Sequence, residues 1–451
     1  MSAGRLYVPE GAGVAGVAET LAWLWRLGPP SAQPARDAVG VGGVQHAAEL
    51  RALVRDRRLA GAVVLAGEAG GERDGVPARR RVRGTARFPG RGMATTGEYT
   101  VLAGGRPAVV SSLGVHAARD GRVLTAGATA DDWGRLRAWW LLPAIAGFLL
   151  ETLARPLVAL PPIGCLRLDD APGTAELVLL ERAKPDGRER RRLETILRAI
   201  RRSGARLVVA VAARALQDGR EVPLDAVWPQ SLELLAESAQ RGLVEPACHG
   251  LLHLDTDAYR EGRIDPREFG RLDRAEAGRR LDQAIAWMSP RLGPPRSFVA
   301  PAWAYSDGAL DAAAERGLPT WVRPAPRPLL DRLLLHETLR DGLADLDGLR
   351  YGPLTRMARI GLPPTVVFHG RMLDGRVPRL RAARDALALA RLTRARDLER
   401  IARLAGVRWV TASELVERLR AHAAIEVDGA RPLVPHGVEA ILIGPRRRSR
   451  P

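Results

Sequence analysis

From residue 161 onward the chain keeps one rhythm: a short apolar run, a turn, then a longer run with apolar residues at helical spacing. Strand-length runs fall at 164–168, 206–212, 243–248, 296–300, 319–322, 365–368 and 407–410. Between and after them, helix-length runs fall at 188–203, 226–241, 274–292, 379–404 and 412–422. Parallel strands cannot be joined by a tight turn, so each needs a crossover long enough to hold a helix. Repeated strand–helix units therefore predict a parallel α/β sheet, either open or closed into a barrel. In such sheets functional groups collect where strands end, at their C-terminal edge.

The first 155 residues follow a looser version of the same pattern. Residues 5–8, 59–66 and 107–111 read as strands, and 17–26, 44–57 and 131–153 as helices, the last interrupted near Pro143. This order predicts a smaller doubly wound α/β domain. The Gly- and Arg-rich stretch 73–96 reads as exposed loops. There is no phosphate loop and no GxGxxG fingerprint, and the stretch carries no His, Cys or carboxylate cluster, so its role is not legible. The organisation expected is 1–155 as the N-terminal domain, 156–425 as the main α/β unit, and 426–451 as an extension. Its basic end, from 444, is expected to be disordered.

Charge alone points toward a polyanionic partner: Lys+Arg 69 against Asp+Glu 51 gives a net +18. The detail reverses that reading. Only one of the cations is a lysine, Lys184, and the chain has no asparagine, which is the mark of a GC-rich coding sequence. The arginines are scattered, many beside acids, as at Glu189–Arg190 and Asp273–Arg274. Clustering is the useful signal for nucleic acid, and it is missing. The longest apolar run, 138–150, is shorter than the roughly 20 residues a bilayer needs and contains Pro143 and Gly147. It reads as a buried helix, against stable membrane insertion. Two cysteines, Cys165 and Cys248, and no visible secretory signal make a reducing, cytoplasmic setting the expectation.

Three strand ends carry chemistry. The run CLRLDD, 165–170, closes on Asp169 and Asp170 before a turn. Adjacent residues on an extended chain point opposite ways, so one carboxylate can bind metal while the other handles a proton; a strand-end Asp can also simply cap a turn. The run 245–253 places His249 and His253 four apart, which on a helical turn brings both imidazoles to one side as a chelating pair; two unrelated histidines are the alternative. The run TVVFHG delivers His369 into a turn, where it suits a general acid or base as well as a structural role. His46, His116, His336, His422 and His436 show no partner spacing and read as structural or surface residues, and both cysteines as small buried apolar groups.

Taken in order, these motifs resemble those of the polysaccharide deacetylase superfamily (carbohydrate esterase family 4), in a divergent branch. The loop from Ser297 to Ser306, with Pro301, Trp303 and Tyr305, is similar to that branch's third motif, and 268–281 to its linker into the next helix. The resemblance covers roughly residues 161–420. It implies a distorted parallel (β/α) barrel and metal-dependent removal of an acetyl or similar acyl group from an N-acetylated sugar or related metabolite. It also implies a divalent metal, most often zinc, held by Asp170, His249 and His253. Asp169 would be the general base and His369 the acid for the leaving group. Pro301, Trp303 and Tyr305 would lie on the substrate side. Two departures stand out: no arginine occupies the third motif, leaving Arg167 or Arg371 to replace it, and Gly250 stands where many members have Ser or Thr. A catalytically weak or inactive scaffold that binds a partner or glycan is the alternative function.

Overall fold

The structure is a computed structural model. It describes residues 5–322 except 12, 67–69, 73, 75, 89–92, 104–105, 129–140, 154–156, 176–178 and 180–184. Beyond 322 it describes 334–336, 358–359, 361, 363, 365–369, 402–403, 406–428, 431–433 and 439–443. Most of the expected helix 379–404, Arg371, His436 and the basic end from 444 lie outside the described residues.

The N-terminal sheet is built on β1 (Leu6–Tyr7), β2 (Val39–Gly43), β3 (Gly61–Leu65) and, later in the chain, Val123–Ala126; these four pair in parallel. β2 and β3 are buried along their whole length, as a strand covered on both faces must be. Val39, Val41, Val63 and Leu65 face helices Ala15–Leu24 and Leu142–Leu153, while Ala62 and Val64 face helix Ala47–Arg55. The sheet is therefore doubly wound in this half. Pro143 stands in the first turn of its helix, where the missing N–H costs nothing.

The expected loop 73–96 is corrected. It contains all of β4 (Ala78–Phe88) and the start of β5 (Met93–Ala103), an antiparallel pair in register from Ala78↔Ala103 to Phe88↔Met93. Their backbone groups satisfy one another, and Tyr99, Val101 and Leu102 of β5 are buried, so the arginines do not prevent strand formation. β6 (Arg106–Ser111) and β7 (Gly114–Asp120) continue the antiparallel run into β8, the strand Val123–Ala126.

The second unit opens with β9 (Leu157–Ala159), then β10 (Ile163–Asp169) and β11 (Leu207–Val211). A hairpin, β12 (Arg214–Gln217) and β13 (Arg220–Pro223), precedes β14 (Val244–Cys248), β15 (Phe298–Val299), β16 (Thr320–Val322), β17 (Leu334–His336), β18 (Thr365–His369) and β19 (Arg408–Val410). The sheet runs β17-β16-β15-β14-β11-β10-β18, with β19 also on β10, and every one of these pairs is parallel. It is a curled half-barrel; among the described residues β17 and β18 end the order. A second hairpin, β20 (Glu426–Asp428) with β21 (Arg431–Leu433), precedes β22 (Ile441–Ile443), which pairs antiparallel with β9.

Strand period sorts the side chains of β10. Leu166 and Leu168 join the outer layer with Leu193, Ile196 and Ile200 of helix Asp186–Ser203. Ile163 and Cys165 face the concave side with Val208, Ala247, Val299 and Trp321, where Leu415, Val416 and Leu419 of helix Ala412–Ala423 pack on them. That helix is fixed at both ends. Glu245, buried on β14, accepts the N–H groups of Ala412 (2.9 Å) and Ser413 (3.2 Å), serving its positive N-terminus. At the other end His422 donates to the Trp23 carbonyl at 3.3 Å, and Arg26 places two N–H groups on the Ile425 carbonyl. No helix among the described residues is long and apolar enough to cross a membrane.

His422 gives this junction a pH dependence. Burial, and then the Arg26 charge, push its imidazole down to about 4, from a free value of about 6.5. The unfolded chain therefore takes up the proton first, so the stability contributed by neutral His422 is complete above about pH 6.5 and is lost as pH falls toward 4. His422→Phe is expected to flatten the fall in urea midpoint across that window. An identical slope in both proteins would show that other groups set it.

Candidate metal and active site

β10 ends on Asp169, and Asp170 leaves the strand in a left-handed conformation (φ 59°). β14 ends on Cys248, and the His249 N–H continues the pairing onto the Val211 carbonyl at 2.9 Å. The helical turn expected for His249 and His253 is corrected: the segment is an irregular loop, with Gly250 at φ 85° and His253 at φ 59°. The imidazoles meet all the same. Nε2 of His249 lies 3.2 Å, and Nε2 of His253 3.3 Å, from the same carboxylate oxygen of Asp170. One donor atom from each of the three residues lies within 4.8 Å of the others, and all three residues are buried.

The orientation of His249 is set from behind. Its Nδ1 lies 2.8 Å from the Val299 carbonyl, which can only accept, so Nδ1 donates there and Nε2 is the ring nitrogen turned toward Asp170. Lone pairs facing one another at such distances repel unless a proton or a cation is shared among them. Two imidazole nitrogens and a carboxylate are a donor set suited to zinc and other divalent first-row ions. The residues present fit such an ion.

Asp169, one residue away, is turned to the concave face and held by its own strand. Arg167 Nε donates to Oδ1 at 2.7 Å and an Nη to Oδ2 at 2.8 Å, with both side chains essentially inaccessible. Residues two apart on a strand share a face, so the pair is local. The guanidinium also lies 5.0 Å over the Trp321 ring. An arginine on Asp169 is thus supplied by β10 and not by the loop after β15. His369 is the register partner of Asp169 across β10 and β18; its side chain lies outside the described residues.

The third stretch is divided. Pro301 is buried, and a side chain placed on Gly250 would come within 3.1 Å of it. Trp303 and Tyr305 are half-buried, Tyr305 packing on the outer core. The glycine itself is required: a Cβ there would also lie 2.4 Å from an oxygen of Glu268. That carboxylate, which no motif had singled out as functional, accepts the N–H groups of Leu251, Leu252 and His253. Burial pushes its pKa up, while Arg280 and these N–H bonds pull it back. Arg192, another residue without a sequence signal, is buried on helix Asp186–Ser203; desolvation lowers its pKa, and Glu189 and then Asp170 oppose the shift. Cys165 and Cys248 are buried free thiols, with Cys248 pushed up to about 12 by desolvation, which suits packing and not nucleophilic chemistry.

No protein-family model matches the chain, and no curated protein matches it. Solved structures do. The carbohydrate esterase family 4 domain of a multidomain xylanase from the hindgut metagenome of Trinervitermes trinervoides is 12% identical, covering 60% of this chain and 98% of its own, with a TM-score of 0.33. A family 4 carbohydrate esterase from Streptomyces lividans in complex with acetate is 12% identical, covering 56% and 94%, with a TM-score of 0.30. A pseudoenzyme of the same family from Bacillus anthracis is 12% identical, covering 57% and 66%, with a TM-score of 0.31. Each of these three solved structures is described as a protein of carbohydrate esterase family 4.

Proposed function

We propose that the second unit is a metal-dependent hydrolase that removes an acetyl or similar acyl group from an N-acetylated sugar or related metabolite. The observation that carries this reading is the convergence of Asp170, His249 and His253 on one point beside an arginine-held Asp169. Asp170, His249 and His253 would hold a divalent ion, zinc in the first place. When bound, such an ion supplies Lewis acidity toward an acyl oxygen and makes water easier to deprotonate.

The chain's own residues do the rest. Asp169 takes the proton of the attacking water, and Arg167 holds that carboxylate in position. His369, at the end of the adjacent strand, gives a proton to the departing amine or alkoxide. Trp303 and Tyr305 offer partly exposed aromatic faces to a sugar ring. Two buried free thiols suit a reducing, cytoplasmic setting. A second reading, a deacetylase-like scaffold with little or no turnover, draws on the same ion pair: both oxygens of Asp169 already accept hydrogen bonds from Arg167.

Elemental analysis of the purified chain should find about one divalent ion per molecule. His249→Ala should lose most of it, and a chain that takes up no stoichiometric metal would overturn the metal reading. Acetate release from a panel of N-acetyl sugars separates enzyme from scaffold. Asp169→Asn should retain the ion and lose about 10²–10⁴-fold in turnover. Unchanged hydrolysis would assign the base to another group, and no release by the unaltered chain would favour the scaffold.

A further inference from the structure

The i,i+4 spacing of His249 and His253 would bring two rings together on a helix unaided. Here the chain between them is not helical, so the backbone N–H groups of the loop lose the partners a helix would provide, and a buried N–H must find another. Glu268 supplies it. Its Oε1 accepts from Leu251 at 3.2 Å, and its Oε2 from Leu252 at 3.1 Å and His253 at 2.8 Å. Three successive N–H groups aimed at one anion form a nest, filled here by a carboxylate of the same chain.

The far side of that carboxylate is also fixed. Arg280 of helix Arg274–Leu292 stands 3.4 Å from Oε1 and is held by Thr256 and Glu276, each at 2.8 Å. Glu268 is 2% exposed, and Gly250 leaves the space its carboxylate occupies. We propose that Glu268 is a positioning residue for the metal centre: by binding the loop's N–H groups it fixes the left-handed turn at His253 and with it the meeting of the two imidazoles with Asp170. The proposal rests on the metal reading above. A carboxylate suits the task because it only accepts, whereas an amide would turn its N–H₂ toward donors.

The test uses the full chain and cobalt(II) alone, with affinity read by chelator competition and ligand geometry by the visible spectrum at saturation. Glu268→Ala should weaken cobalt binding by about 10–100-fold, the range typical when a group behind a metal ligand is removed. Glu268→Gln should lose less, and both should alter the saturated spectrum. Arg280→Gln should shift both readouts in the same direction, and it carries the test if the Glu268 variants do not fold. A purely structural Glu268 would lower the melting temperature and leave the affinity and spectrum of the folded variant unchanged; that result overturns the proposal and leaves the metal reading intact. An unaltered chain that binds no cobalt overturns the metal reading itself, and this proposal with it.

Discussion

Two full charges, Arg167 and Asp169, sit inside the concave face of a sheet whose other inward residues are mostly apolar. Taking a carboxylate and a guanidinium out of water costs several kcal/mol each, and only near-ideal geometry offsets that. The pair achieves it cheaply because both residues lie on one strand, two positions apart, so the strand's own period aligns the fork with the carboxylate. The surrounding sheet has to respect this arrangement. Ser297 accepts the Trp321 indole N–H at 3.2 Å, fixing the ring under the guanidinium, and β10 draws β11, β18 and β19 around itself as parallel neighbours. Asp170 inherits its place from the same strand end.

Much of this was legible from residue order. The alternation of strand and helix gave the parallel sheet, and the strand ends marked Asp169, Asp170, His249, His253 and His369. What was not legible belongs to contacts between distant segments. Four-residue spacing says that two histidines can meet, but not through which backbone. Here the loop conformation is dictated by Glu268, fifteen residues further on, and an isolated glutamate in a polar stretch gives no signal of such a role. The hairpin of β4 and β5 was hidden for a related reason: arginine and glycine suggest solvent and turns, while the stabilising term is cross-strand pairing, which belongs to two segments at once.

The basic composition finds a physical place as well. Arg267 pairs with Asp265 and Arg279 with Glu276 within one turn of chain, while Arg316 with Asp282 and Arg291 with Asp225 join separate elements. Surface pairs of this kind add little stability singly. They show that part of the arginine content is matched by nearby acids, while the net charge of +18 remains.

The left-handed backbone at Asp170 and His253 restricts these positions in a way that catalysis alone would not. Of the twenty side chains, those that tolerate this region with least penalty are glycine, asparagine, aspartate and histidine. Of the side chains that hold divalent cations firmly, the usual ones are cysteine, histidine, aspartate and glutamate. The two alphabets share only aspartate and histidine. The chain has one of each at these two positions, so the shape of the turn and the ligand role proposed for them call for the same letters independently.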